Sequence, residues 1–198
     1  MRGEVDDLEI WIEFRKNQKF AFSLLYKRYV KTLYKYGQRL TSDNQLIEDA
    51  IQDMFIELWH TRQNLSNPDS VKFYLLSVLR RSIFKKIKFS NSQKGLEDYS
   101  EHSLLKVPSV EFDFTQAEHA SELSYNLHKS LVDLPPRQLE AINLRFFQSL
   151  SHTEISELMG ISTQSVQNVI QKALKTMQIS LSPGLNVLLM IYLLWLKK

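Results

Sequence analysis

Amide and lysine side chains recur at helical spacing near the C-terminal end of the chain. On an α-helix, residues three, four or seven positions apart project from one face. Amides on such a face can hydrogen-bond to base edges in the major groove of DNA, and lysines can neutralise phosphates. We therefore predict a DNA-reading helix face. Its contacting residues, with the serines that begin the helix, are Ser162, Gln164, Ser165, Asn168, Gln171, Lys172 and Lys175.

The residues just before this face have the spacing of a helix-turn-helix motif. Ser151 and Glu154 form an S-x-x-E capping box, which begins a short helix. Gly160 supplies the left-handed turn residue, because a Cβ atom is penalised in that conformation. Five apolar residues are predicted to bury the small core of the motif: Ile155, Met159, Ile161, Val166 and Val169. The joint spacing favours DNA binding over a plain three-helix packing unit.

Segment 47–58 predicts a helix with an apolar stripe and an unusual outer face. The stripe follows the i, i+3, i+4 rule and comprises Ile47, Ala50, Ile51, Met54, Phe55 and Leu58. The opposite face carries acids and an amide around one isoleucine: Glu48, Asp49, Gln52, Asp53 and Ile56. A purely solvated face does not need an isoleucine at its centre. We interpret this face as a protein-docking surface, with a lone exposed isoleucine as the alternative.

Basic and aromatic residues are interleaved along the next predicted helix, 71–89. Its predicted core face consists of Leu75, Leu76, Leu79, Ile83 and Ile87, and the other side carries Tyr74, Ser77, Arg81, Phe84 and Lys88. Cations neutralise phosphates and aromatic rings stack on unpaired bases, which suits nucleic acid. Packing of Tyr74 and Phe84 against the N-terminal helices is an equally good interpretation. Including the polar loop 61–69, the candidate residues are Arg62, Asn64, Asn67, Lys72, Tyr74, Arg80, Arg81, Lys85 and Lys88.

The sequence contains no recognisable catalytic or metal-binding pattern. Cysteine is absent, and the five histidines include no i, i+4 pair with a third ligand. The chain also lacks a G-x-S-x-G elbow, a Walker-type glycine loop and a G-x-G-x-x-G motif. We therefore predict a protein that is not an enzyme and that has no catalytic residue, metal, cofactor or small-molecule substrate. The lack of cysteine and of an apolar leader fits a cytoplasmic location.

Composition predicts an all-α chain in two helical domains. Five glycines and five prolines in 198 residues are too few for an all-β fold, and 43% hydrophobic residues suffice for a core. Gly37, Pro68 and Gly160 are interpreted as breaks between helices. Residues 60–90 hold seven basic residues and one acid, whereas residues 91–130 hold three basic and seven acidic residues. We predict a first domain at 8–89, an acidic flexible linker at 90–115, a helix-turn-helix domain at 116–180 and an apolar tail at 181–198.

The tail has an uninterrupted apolar run, Val187 to Leu196, of ten residues. That length is about half of what a membrane-spanning helix needs. Because the run is apolar on every side, we expect it to be buried. Packing onto the protein is the first interpretation, and autoinhibitory docking across both domains or binding to a partner or membrane surface are the alternatives.

With these motifs in view, the chain resembles the extracytoplasmic-function sigma factors of the sigma-70 family. The resemblance covers about Phe20 to Gln178. Segment 48–59 is similar to the helix of that family that docks on polymerase. The aromatic-rich segment with which the same domain begins is matched by Phe22, Leu25, Tyr26 and Tyr29. Segment 134–140, with the helix-turn-helix, is similar to the domain that reads the −35 promoter element.

The resemblance implies a partner for each surface. Core RNA polymerase would be bound at its β′ clamp by Asp49, Gln52, Asp53 and Ile56. The second domain would contact the β flap. Promoter DNA would contact the basic helix on the −10 side and the helix-turn-helix on the −35 side. An anti-sigma factor is a further implied partner, with a membrane-bound one favoured. Two other classes stay open: a two-domain regulator that binds duplex DNA without polymerase, and an interaction module with an inert helix-turn-helix.

Overall fold

All regular structure is helical in the residues that this computed structural model describes, which are 6–93, 130–131 and 133–180. The chain divides into two compact units between Lys106 and Val107. The all-α prediction with two helical units is therefore confirmed. Most of the predicted linker 90–115 and the whole apolar tail 181–198 lie outside the described residues, but residues 90–93 belong to a helix.

In its described residues, 6–93, the first unit has four α-helices that share one core. The chain order is α1 (Asp7–Arg15), α2 (Lys19–Leu40), α3 (Asn44–Thr61) and α4 (Val71–Gln93). A short 3₁₀ turn, Arg62–Asn64, follows α3. In α2, the buried residues recur every three or four positions and include Leu25, Tyr29, Leu33, Tyr36 and Leu40. Asp43 caps the start of α3, because its side chain accepts a hydrogen bond from the Leu46 amide at 3.0 Å.

Gly37 corrects one element boundary, because it lies inside α2 and is buried. A Cβ atom at this position would lie 2.6 Å from Cγ2 of Ile47, which is itself fully buried on α3. The glycine therefore permits α2 and α3 to cross closely and does not end a helix. The prediction that Gly37 separates two helices was wrong because local propensity gives no information about a neighbouring helix.

Helix α4 buries a wider stripe than the sequence predicted. Leu75, Leu76, Leu79 and Ile83 are buried as expected. Phe84 was placed on the outer side, yet it is only 5% exposed, and the predicted core residue Ile87 is only partly buried. The packing interpretation of Phe84 is therefore correct.

The second unit contains the helix-turn-helix. Its described residues form α5 (Pro136–Ile142), a π-helical turn (Asn143–Phe147), α6 (His152–Met159) and α7 (Thr163–Ser180). Pro136 lies in the first turn of α5, where its missing N–H costs nothing. The capping box is confirmed, since the Ser151 amide donates to the Glu154 carboxylate at 2.7 Å and the Glu154 amide donates to Ser151 Oγ at 3.2 Å. Gly160 adopts the predicted left-handed conformation with φ 64°.

The core of the motif partly matches the sequence prediction. Ile155, Met159 and Val166 are buried, but Ile161 and Val169 are only partly buried. Helix α7 continues the core through residues that the prediction did not include: Ile170, Ala173, Leu174 and Met177. They are buried because α7 also packs against α5, so its apolar stripe extends well beyond the turn.

Ser149 provides a stability prediction. This exposed serine precedes the capping box and has φ 59°, in the left-handed region that penalises a Cβ atom. We expect Ser149→Gly to stabilise the second unit by about 0.5–1 kcal/mol, which raises its Tm by a few degrees in calorimetry. Ser42→Gly is the matched control. Ser42 is also exposed but has no positive φ, so glycine there should only add freedom to the unfolded chain. A Tm that does not rise in Ser149→Gly contradicts the prediction.

Candidate nucleic-acid and protein interfaces

The first candidate interface is the outer face of α3, which we define as Glu48, Asp49, Gln52, Asp53 and Ile56. All five are exposed, and Ile56 keeps 47% of its surface accessible. The α3 residues predicted as core are all buried on the other side. The structure therefore places an apolar side chain among acids on an open face, as the periodicity predicted.

Two members of the outer face of α3 have side-chain partners. Gln45 donates to Oδ1 of Asp49 at 3.0 Å along the same helix. Lys86 of α4 makes an ion pair with Oδ2 of Asp53 at 2.6 Å. An exposed pair of this kind contributes only about 0–1 kcal/mol. Asp53 therefore lies at the α4 edge of the face, and a binding partner can displace Lys86 at small cost.

Aromatic rings border the other edge of α3. The Tyr26 ring lies 5.0 Å from Phe55, and the Phe22 ring lies 5.1 Å from Trp59. Tyr26 remains 43% exposed. The sequence indicated only that Phe22 and Tyr26 belong to the aromatic-rich segment with which the domain begins. The structure adds that Tyr26 presents an accessible aromatic surface on the α2 side of α3.

The second candidate interface is the basic side of α4. Arg81, Lys85 and Lys88 are exposed, as a phosphate-binding role requires, and Lys72 is partly exposed. Phe89 is 66% exposed at the same end of the helix. Phe89 is not among the residues that the sequence predicts to contact DNA, although the alternation of basic and aromatic residues that includes Lys88 continues into it.

A groove of about 850 Å³ separates this basic side from α3. Glu57 lines it from α3, Arg81 and Lys85 line it from α4, and Leu65 of the connecting loop also takes part. Tyr74 lies in the groove, and burial raises the pKa of its hydroxyl; Arg81 opposes this rise and Glu57 adds to it. Tyr74 is thus a neutral hydrogen-bonding group at neutral pH.

The structure corrects the expected position of Arg80. The sequence predicts Arg80 as a DNA-contacting residue, but it is only 6% exposed. Its guanidinium lies 4.4 Å from the centroid of the Phe84 ring, one helical turn further along. This cation–π contact with a buried ring contributes to its inward orientation. Arg80 therefore supports the packing of α4 and does not present its charge to solvent.

The loop after α3 is fastened to other parts of the unit. The Arg62 guanidinium lies 4.2 Å from the Trp59 ring centroid, and its Nε donates to Oδ1 of Asn17 at 2.9 Å. Asn67 accepts a hydrogen bond from Arg15. Asn64 is exposed. Of the loop residues predicted to contact DNA, Arg62 and Asn67 thus also have structural partners.

The third candidate interface is the outward face of α7. Gln164, Asn168, Gln171, Lys172 and Lys175 are all exposed along one side of the helix. Gln164 donates to Oδ1 of Asn168 at 3.3 Å, so the two amides form one polar unit. At the start of the helix, Ser162 Oγ accepts from the Ser165 amide at 3.1 Å. The geometry is that of a helix able to enter a major groove with amides toward the bases.

His152, at the start of α6, is close to Arg145. Partial burial lowers the pKa of His152, and the charge of Arg145 lowers it further. His152 is therefore neutral at neutral pH, and it adds no positive charge at the start of α6.

The described part of the chain holds neither a candidate metal site nor a membrane-spanning helix. No group of three His, Cys, Asp or Glu side chains in residues 6–93, 130–131 and 133–180 could hold a metal ion. Among the helices in the described part of the chain, none is long and apolar enough to cross a membrane.

Comparison with protein families gives two matches, one in each unit. Residues 25–91 match the model for sigma-70 region 2. Residues 124–177 match the model for sigma-70 region 4. The first match runs from within α2 through α3 and most of α4, and the second spans the helix-turn-helix.

Individual relatives agree with these matches. RNA polymerase sigma factor SigV of Bacillus subtilis (strain 168) is 28% identical over 134 residues, 68% of this chain and 75% of that protein. ECF RNA polymerase sigma factor SigM of the same organism is 23% identical over 162 residues, 82% of this chain and 96% of that protein. Among solved structures, the sigma factor RpoE in complex with the anti-sigma factor NepR from Bartonella quintana has a TM-score of 0.59 at 19% identity. That match covers 80% of this chain and 95% of the other, and shows a shared fold.

Proposed function

We infer the function of this chain from its family, since it belongs to the sigma-70 family: it is a sigma factor of the extracytoplasmic-function type. It binds core RNA polymerase and confers promoter recognition and transcription initiation. The observation that carries this conclusion is the presence of regions 2 and 4 on one chain, in that order. Each region also has an exposed face of the required chemistry, acidic and apolar on α3 and amide and lysine on α7.

We assign the two units distinct roles. Residues 8–89 form the domain that docks on polymerase and opens the −10 element, and residues 116–180 form the domain that reads the −35 element. Asp49, Gln52, Asp53 and Ile56 bind the β′ clamp. The exposed isoleucine, with acids around it, supports this assignment because apolar anchors within a polar rim dominate many protein interfaces. The β flap is the corresponding partner of the second unit.

On the −10 side, the exposed cations Arg81, Lys85 and Lys88 hold phosphates of the promoter, while the loop after α3 and Tyr74 capture unpaired bases. Unstacking a base costs a few kcal/mol, which contacts in the groove between α3 and α4 offset. On the −35 side, Asn168 and its neighbouring amides read base edges, and Lys172 and Lys175 bind phosphates.

The assigned role also locates the protein and names its other partners. Polymerase performs the chemistry, so the sigma subunit is not itself an enzyme and needs no cofactor. Because polymerase and promoter DNA are in the bacterial cytoplasm, the protein works there. An anti-sigma factor is a proposed partner, supported by the similar fold of RpoE, which was solved with the anti-sigma factor NepR.

Reconstituted transcription tests this function. Core polymerase with the purified protein should yield run-off transcripts from a subset of a genomic promoter library, whereas core polymerase alone should yield none. A variant with the α7 lysines replaced, Lys172→Ala with Lys175→Ala, should still bind core polymerase but lose most transcripts. Duplex DNA binding without any polymerase-dependent transcript would instead identify a conventional two-domain regulator and overturn the sigma assignment.

A further inference from the structure

Helix α1 makes a direct contact with the loop between α3 and α4. The Trp11 side chain is fully buried, and its indole Nε1 donates to the backbone carbonyl of Ser66 at 3.0 Å. The same ring lies edge-on to Tyr74, with centroids 5.2 Å apart. One buried indole therefore touches both the loop and the first turn of α4.

The end of α1 makes two further contacts with the loop. The Arg15 guanidinium donates to Oδ1 of Asn67 at 2.6 Å. Asn17, which follows the helix with φ 70°, accepts from Nε of Arg62 at 2.9 Å. An asparagine tolerates this left-handed conformation better than most residues. The loop is thus held at its beginning, its middle and near its end by the segment 11–17.

These contacts restrict the loop 62–69, which has little regular structure to hold it in place. Residues 65–70 follow a single 3₁₀ turn and have no regular structure, and Ser66 and Asn67 are exposed. A loop held only by its ends would pay the entropy of ordering each time it captured DNA. Fixing it beforehand removes that cost. We propose that Trp11, Arg15 and Asn17 form a brace that preorganises the loop 62–69 for capture of single-stranded promoter DNA.

The brace also sets which atoms the loop presents. Because a guanidinium only donates hydrogen bonds, its contact with Asn67 assigns the near atom as Oδ1. The two Nδ2 hydrogens of Asn67 then remain available for a base acceptor or a phosphate. Arg15 therefore acts as a positioning residue through Asn67, without itself contacting DNA. This inference rests on the proposed function, in which the loop captures −10 bases.

The test uses holoenzyme reconstituted with Arg15→Met, Asn17→Gly or both. Methionine keeps the length of the Arg15 stem, and glycine keeps the left-handed backbone at position 17, so both variants should fold. The probe is a single-stranded oligonucleotide that carries the nontemplate −10 element of a promoter found by run-off transcription. With two hydrogen bonds removed, we expect the double variant to bind this probe about tenfold more weakly. Amide hydrogen exchange in residues 62–69 should be faster, while core affinity stays unchanged.

Lys16→Met is the matched control. It removes the same charge one position away, but Lys16 pairs with Glu13 at 2.8 Å and not with the loop. We expect this control to bind the probe within about twofold of wild type, since exposed pairs contribute little.

The outcomes separate the alternatives. If Arg15→Met weakens binding and flattens its salt dependence while Asn17→Gly has no effect, Arg15 is itself a phosphate contact and the brace is refuted. Unchanged probe binding in the double variant also refutes it. Failure of the proposed function would look different, because wild-type holoenzyme would then give neither transcripts nor probe binding. Weaker binding with an unchanged salt slope and faster loop exchange supports the brace.

Discussion

Ile56→Asp should lower the affinity for core RNA polymerase by about 100-fold or more and abolish transcription from every promoter. Ile56 is the apolar residue at the centre of the outer face of α3, and 47% of its surface is open to a partner. Burying an aspartate there against polymerase would desolvate a charge as well as remove an apolar contact. Central interface residues commonly contribute 2 kcal/mol or more, and about 2.7 kcal/mol corresponds to 100-fold.

The matched control is Phe20→Asp, which places the same charge at another exposed apolar site of the first unit. Phe20 is 78% exposed near the start of α2, where an acid is compatible with the helix dipole. Fluorescence titration of labelled protein with core polymerase measures both affinities, and calorimetry checks that both variants fold. Equal losses in the two variants would show that the effect is not specific to the outer face of α3.

Asn168→Ala should change which −35 sequences are used, because its amide lies on the exposed face of α7 among the other polar contacts. Loss of a base-reading amide costs about 1–3 kcal/mol at the preferred base, which is roughly 5- to 150-fold in relative promoter use. Promoters with a different base at the contacted position should lose little. Transcription from a library randomised across the −35 element, read by sequencing, measures the change for every base.

Lys172→Ala provides the contrast on the same face. A phosphate contact carries no sequence information, so this variant should weaken all promoters similarly and reduce the salt dependence of binding. If Asn168→Ala also weakened all promoters equally, Asn168 would be another backbone contact and its assignment as a base-reading residue would be wrong.

Local sequence rules predicted burial and exposure well where one helix face was involved. The i, i+3, i+4 rule was enough to separate the buried stripe of α3 from its outer face, because burial on a single packed helix follows its periodicity. The capping box and Gly160 likewise positioned α6, since each acts through atoms within a few residues.

The same rules were wrong where neighbouring elements decided the outcome. Arg80 is a cation on a basic helix, yet a ring four residues later and the surrounding core hold it inside. Gly37 is a helix breaker by propensity, yet it lies inside α2, where the absence of a Cβ atom leaves room for Ile47. The sequence did not predict a role for Lys86. Its ion pair with Asp53, 33 positions away, forms only in the folded unit.

By itself, the sequence determined that the chain is helical, that it carries a helix-turn-helix with amides on one side, and that α3 exposes an isoleucine among acids. These properties depend on contacts within a helix or across one turn, which spacing encodes directly. Only the tertiary structure decided which cations remain exposed and what holds the loop 62–69. Contacts such as Trp11 to Ser66 join residues 55 positions apart. No local pattern encodes them, because they exist only once the helices of the first unit have packed around a common core.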